Sequence, residues 1–159
     1  IAYSPGGKYI VSGGFDKAVK LWDAKTGKLV RVIFEFENRV SRVGFSVDGT
    51  RIFAASYDST AKLLDSNSGD LIADLGKQPK PILSVAFSPD GKSLATTTYS
   101  GHEILVWDVN NIPQEVVRLR CQQSIPFGLA FSADSQRLAA GLAFREWLPK
   151  AINHKSGNR

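Results

Sequence analysis

Residues Ser12-Gly13-Gly14-Phe15-Asp16-Lys17-Ala18-Val19-Lys20-Leu21-Trp22-Asp23 read as a strand, a tight turn and a second strand that closes on Trp-Asp. Outward from there, the pattern returns at Ala54–Asp65 and, loosened, at Thr97–Asp108. A second phrase stands before each copy: Tyr3-Ser4-Pro5-Gly6-Gly7, Phe45-Ser46-Val47-Asp48-Gly49 and Phe87-Ser88-Pro89-Asp90-Gly91. It appears once more as Phe131-Ser132-Ala133-Asp134-Ser135. The aromatic heads of that phrase lie 42, 42 and 44 residues apart, and the closing positions Trp22, Leu64 and Trp107 lie 42 and 43 apart. Two independent phrases holding one beat are the mark of an internal repeat.

A period of about 40–45 residues with four short strands per unit is the signature of a β-propeller blade. The sequence therefore predicts an all-β fold, an incomplete β-propeller of four-stranded antiparallel blades. Blade 1 is expected over about 1–34, blade 2 over 40–75, blade 3 over 82–119 and a partial blade 4 over 125–143, giving a repeat region of 1–143. Turn signals about every ten residues favour strands over helices, and Pro79, Pro81 and Pro113 fall at strand boundaries. The pattern then fails: Leu94 to Trp107 spans 13 positions, but Leu138 to Trp147 only 9. Residues 144–159 are expected to be an off-pattern basic tail, poorly ordered or locally helical. Three and a half blades do not close a ring, so the remaining blades belong either to a longer chain or to a second copy.

These phrases, their spacing and the closing dipeptide together resemble the tryptophan–aspartate repeat (WD-repeat) β-propeller family, over nearly all of 1–143. The resemblance implies a radial scaffold that binds proteins or peptides, with few enzymes among its members. It also implies a buried hydrogen-bond tetrad of Asp, His, Ser and Trp in each blade. The loops before the inner strands lack the family's Gly-His, so the His is missing throughout. Blade 1 keeps Ser12, Asp16 and Trp22. Blade 2 keeps Asp58 but has Ala54 and Leu64, and blade 3 offers Thr97 and Trp107. Blades that lean more on apolar packing are expected.

Bulk properties fit one globular unit: 159 residues, 43% of them hydrophobic. No apolar run approaches the roughly 20 residues needed to cross a bilayer. The formal net charge is +5, of which +3 falls in 144–159. The body carries mixed charge rather than the basic stripe of a nucleic-acid binder. Cys121 is the one cysteine, which excludes an intrachain disulfide and favours a reducing compartment; the expected location is cytoplasmic.

Phe15, Tyr57 and Tyr99 recur at steps of 42, each just before the turn residue Asp16, Asp58 or Ser100. The resemblance places that turn on the face where inner-strand loops gather. There the three rings either form a rigid contact surface for a partner or seal the crevices between blades. Arg39, Arg42 and Lys80 lie near the loops leading into inner strands, where they either pair with acidic groups of a partner or form a solvated rim. Asp16 and Asp58 have the spacing of turn caps rather than of catalytic carboxylates, and Trp22 and Trp107 read as core anchors.

Asp65–Asp70 imitates a calcium loop without its sixth-position Gly or closing Glu, and Gly91-Lys92-Ser93 imitates a phosphate loop without the preceding Gly. His102 and His154 are isolated, and no catalytic or metal-ligating constellation is visible; no cofactor is expected. The expected function is a non-enzymatic protein–protein interaction scaffold, part of a larger WD-repeat propeller. The alternative is the sensor or regulatory repeat region of a larger signalling nucleotide hydrolase or kinase. A catalytic propeller or a nucleic-acid binder would need residues this sequence does not display.

Overall fold

The computed structural model describes residues 1–99, 101–110, 115–121, 124–143 and 150–153. Its elements run β1 (Ala2–Tyr3), β2 (Tyr9–Gly13), β3 (Ala18–Asp23), β4 (Leu29–Glu35), β5 (Val40–Phe45), β6 (Arg51–Ser56), β7 (Thr60–Asp65), β8 (Leu71–Lys77), β9 (Ile82–Phe87), β10 (Ser93–Thr98), β11 (Glu103–Asp108), β12 (Glu115–Arg120), β13 (Ile125–Phe131), β14 (Leu138–Ala143) and β15 (Lys150–Asn153). They form three four-stranded antiparallel sheets, β1–β4, β5–β8 and β9–β12, and a three-stranded sheet β13–β15, each with its strands in chain order. The all-β expectation and the blade-like sheets stand. Among the described residues no helix is long and apolar enough to cross a membrane.

One turn chemistry sets the repeat. In the β5–β6 turn the Ser46 hydroxyl donates to Asp48 Oδ1 at 2.5 Å and accepts the Arg51 amide at 3.0 Å, and Asp48 Oδ1 accepts the Thr50 amide at 3.0 Å. Ser88–Asp90 and Ser132–Asp134 make the same bonds in the β9–β10 and β13–β14 turns. The residue after the Asp takes positive φ, 73° at Gly49 and 71° at Gly91, a conformation glycine adopts without steric cost. Small polar residues thus force the chain back on itself at each repeat.

Two compact units follow, Ile1–Ile82 and Leu83–Arg159. In the first, Val11, Val19 and Leu21 of one sheet bury against Val40, Ile52, Ala54 and Leu64 of the next, with Phe36 between them in sequence. Gly13 permits the close approach: a Cβ there would lie 2.3 Å from Val40 Cγ1. Arg31 of β4 donates to the carbonyls of Ser68 at 3.0 Å and Ser66 at 3.2 Å, and also to that of Asn67, so the outer strand grips the β7–β8 turn. In the second unit Ala95, Ile104, Cys121, Ala140 and Leu142 form the core. Central strands are covered on both faces, as in β6, where Ile52 through Ser56 are all buried; outer strands such as β4 leave Leu29, Val30 and Val32 exposed.

The indole bond of the tetrad survives in two sheets. Trp22 Nε1 donates to Ser12 Oγ at 2.7 Å, and Trp107 Nε1 donates to Thr96 Oγ1 at 3.0 Å. The second acceptor corrects the sequence reading, which offered Thr97. Thr96 lies two residues beyond Leu94, the cross-strand partner of Trp107, as Ser12 lies two beyond Ile10, the partner of Trp22. In the second sheet Ala54 and Leu64 take those places fully buried, so packing replaces the bond there.

The expectation of a tail without strands differs from what Lys150–Asn153 does. Those residues pair antiparallel with β14, from Leu142 opposite Lys150 to Ala139 opposite Asn153. β14 has an unfilled edge whose amides and carbonyls need partners, and the four residues supply them. Trp147, His154 and the rest of the tail lie outside the described residues.

Candidate protein-interaction site

The β4–β5 connection is fixed by its main chain to two turns. The Phe36 amide donates to Lys17 O at 3.0 Å and the Val40 amide to Gly14 O at 2.9 Å, tying it to the β2–β3 turn. The Tyr57 amide donates to Arg39 O at 3.0 Å and the Ser56 hydroxyl to Asn38 O at 3.0 Å, tying it to the β6–β7 turn. Asn38 Oδ1 accepts the Arg39 amide at 2.8 Å, a local bend that short polar side chains favour. Phe36 is buried beneath, edge-on to Phe34 with centroids 4.8 Å apart.

That anchoring brings three of the sequence-predicted contact residues together. Arg39 Cζ lies over the Tyr57 ring at 3.8 Å from its centroid and over the Phe15 ring at 4.9 Å. Both distances are within cation–π range. Phe15 is 81% exposed and Tyr57 41%, so each ring keeps open surface while its face meets the guanidinium. Phe36 and Val40 are buried in the core of the first unit, whereas the Phe15 ring stays exposed.

The turns that hold these rings are capped by their aspartates. Asp58 Oδ1 accepts the Thr60 amide at 2.8 Å and the Thr60 hydroxyl at 2.6 Å. Burial pushes the Asp58 carboxyl up, but the Thr60 and Ser56 bonds outweigh it, and the net displacement is below the ordinary aspartate value. Asp16 is likewise held low by its bond with Lys20, and it accepts the Ala18 amide. Lys17 and Ser59 carry positive φ of 67° and 72°, so both turns have one shape.

The other predicted contact residues lie on other strands, turns and connections. Tyr99 occupies the same step of the β10–β11 turn in the second unit and is exposed. Arg42, on β5, lines a cleft of about 280 Å³ with Ile1, Gly13, Ser41 and Val43, and its guanidinium donates to Ser41 O at 2.9 Å. Lys80 is exposed in the β8–β9 connection. His102 does have a partner, its Nδ1 lying 3.0 Å from Ser124 O. Asp65 Oδ1 accepts the Asn67 and Ser68 amides at 2.8 Å each, so the calcium-like stretch is a turn. Among the described residues no three His, Cys, Asp or Glu side chains gather as a metal site.

Sequence reasoning named Phe15, Tyr57 and Arg39 separately but missed their stacking. Arg39 immediately precedes β5, the strand that β2 packs against, and that packing leaves no mark in the sequence.

Comparison with known proteins agrees with the strand register. The family described as WD domain, G-beta repeat (WD40) matches residues 1–23, 27–65 and 69–108, more than half of the chain. Each matched stretch ends on the last residue of β3, β7 or β11. Thirty residues are 53% identical to ribosome assembly protein 4 of Saccharomyces cerevisiae, covering 19% of this chain and 6% of that protein. Forty-two residues are 43% identical to protein tipD of Dictyostelium discoideum, covering 26% of this chain and 7% of that protein. The chain therefore matches only a small part of the length of these relatives. With its four-stranded antiparallel sheets, its repeated turn chemistry and the family match, this chain belongs to the WD40 repeat family.

Proposed function

We propose that the chain is a non-enzymatic protein–protein interaction scaffold of the cytoplasm, acting alongside further blades of a longer WD-repeat propeller. A partner's peptide or domain docks on the turns that carry Phe15, Tyr57 and Tyr99, with Arg39, Arg42 and Lys80 supplying positive charge. The observation that carries this reading is the exposed stack of Phe15, Arg39 and Tyr57 on a main-chain-anchored loop. Aromatic and arginine side chains held rigid and left open are what interface hot spots are made of. WD40 domains commonly bind proteins, which agrees with it.

The test compares the full chain with F15A/Y57A/Y99A as bait in cytosolic extract, with captured proteins quantified by mass spectrometry. At least one protein should be held by the parent chain and reduced about tenfold or more by the triple variant. The melting midpoint should be nearly unchanged. A variant that simply unfolds assigns the rings to crevice sealing and sinks the docking reading, as does a folded variant that keeps every partner.

A further inference from the structure

Four arginines among the described residues already have oxygen acceptors. Arg31 is spent on three carbonyls, Arg42 on one, and Arg118 and Arg120 on Glu103 and Glu115. Arg39 differs. Its guanidinium meets two ring faces, and among the described residues it has no carboxylate or carbonyl partner. The acids that follow the two stacked rings are accounted for otherwise: Asp16, next to Phe15, is engaged with Lys20 and Asp58, next to Tyr57, with Thr60, while Glu37, exposed in the loop of Arg39, makes no bond to it.

Stacking uses the π face of a guanidinium. A separation of 3.8 Å from the Tyr57 centroid is a stacking distance, and the five N–H donors lie in the guanidinium plane. Those donors form a planar fork matched to the two oxygens of a carboxylate. The main chain of Arg39 is tied to the β6–β7 turn by the Tyr57 amide, and that of its neighbour Val40 to the β2–β3 turn. The side chain therefore loses little further freedom when a ligand arrives. Two exposed rings beside the charge suit apolar neighbours of an acidic residue.

We propose that the Arg39 guanidinium, held over Phe15 and Tyr57, is a receptor for an acidic side chain, Glu or Asp, flanked by apolar residues on a partner peptide. This rests on the docking reading above and names the chemistry of its ligand. Arg42 and Lys80, both exposed cations of the same unit, add charge complementarity of the same sign.

The probe is a set of three immobilised N-acetylated octapeptide libraries with randomised apolar and neutral flanks. One has a central Glu and an amidated C-terminus, one a central Gln and an amidated C-terminus, and one a central Gln and a free C-terminal carboxylate. Retention of the full chain is compared with that of R39K, R39Q and F15A/Y57A. The central-Glu library should retain the parent chain at least about tenfold more than the amidated Gln library. R39K should lose that preference although it keeps the charge, because a lysine has no fork, and R39Q should lose it too. The turn bonds at Arg39 are main-chain bonds, so both variants should melt with the parent.

Equal retention on Glu and Gln libraries, abolished in F15A/Y57A, overturns the acidic ligand while leaving docking intact. Retention on the free-carboxylate library alone overturns the side-chain source. A Glu preference that survives in R39K and R39Q overturns Arg39 as the receptor. No retention on any library overturns the acidic ligand and the docking reading together.

Discussion

The buried indole N–H of Trp107 donates to Thr96 Oγ1 at 3.0 Å, while the hydroxyl of the next residue, Thr97, is equally buried and has no partner among the described residues. Two neighbouring threonines on β10 thus sit on opposite sides of one energetic asymmetry. Removing a hydroxyl that satisfies a buried donor strands that donor, whereas removing an unsatisfied hydroxyl relieves a desolvation cost. T96V should lower stability by about 1–3 kcal/mol, and T97V should leave it unchanged or raise it by up to about 1 kcal/mol. Urea unfolding of both variants checks the pair; equal effects would show that the Trp107 bond carries no weight.

Gly13 has no room for a side chain. An added Cβ would meet Val40 Cγ1 at 2.3 Å and Val40 Cβ at 2.7 Å, so β2 and β5 would have to move apart. G13A should cost about 1–3 kcal/mol through overpacking. V40A removes the nearer of the two atoms, so the double variant should lose less than the sum of the singles. Additive losses in a double-mutant cycle would place the strain elsewhere. At Gly44, where nothing lies within 4 Å of the added Cβ, alanine should be tolerated.

The aspartates of the repeated turns predict the acid limb of stability. Asp48, Asp90 and Asp134 each accept a serine hydroxyl and a main-chain amide, and the serine bond is the largest cause holding each carboxyl below its ordinary range. A carboxyl whose folded pKa is lowered adds stability that is fully present above its unfolded value, near about 3.9. That stability is lost as pH falls through the lower folded value. The urea midpoint should therefore be flat between about pH 5 and 7 and fall below about pH 4. D48N/D90N/D134N should be less stable at neutral pH and show a shallower acid slope; an unchanged slope would mean other groups set the acid limit.

Much of this was legible in the chain itself, for a physical reason. The Ser-x-Asp-Gly turns and the Trp or Leu near the end of each third strand are short-range requirements, so they leave residue-level marks at steps of 42 to 44. Counting steps of 42 from Ser12 through Ala54 arrives at Thr96, and the run Thr96-Thr97-Thr98 hid which hydroxyl the count selects. Arg39 illustrates the opposite case. Its charge and position were visible, but its stacking depends on a connection pinned between two turns that are 42 residues apart, which composition does not encode. The pairing of Lys150–Asn153 with β14 was also hidden, because four residues carry too little alternation to mark a strand.

The grip of Arg31 on the β7–β8 turn spans 37 residues, and Gly13 meets a residue only 27 positions further on. The first sheet of the first unit is thus clasped by chain that is synthesised directly after it. A nascent polypeptide with such short-reach ties closes small loops first and keeps its apolar faces uncovered only briefly. Assembly of the first unit can therefore begin with its two sheets fastening in the order they leave the ribosome, with Arg31 the catch that holds the pair shut.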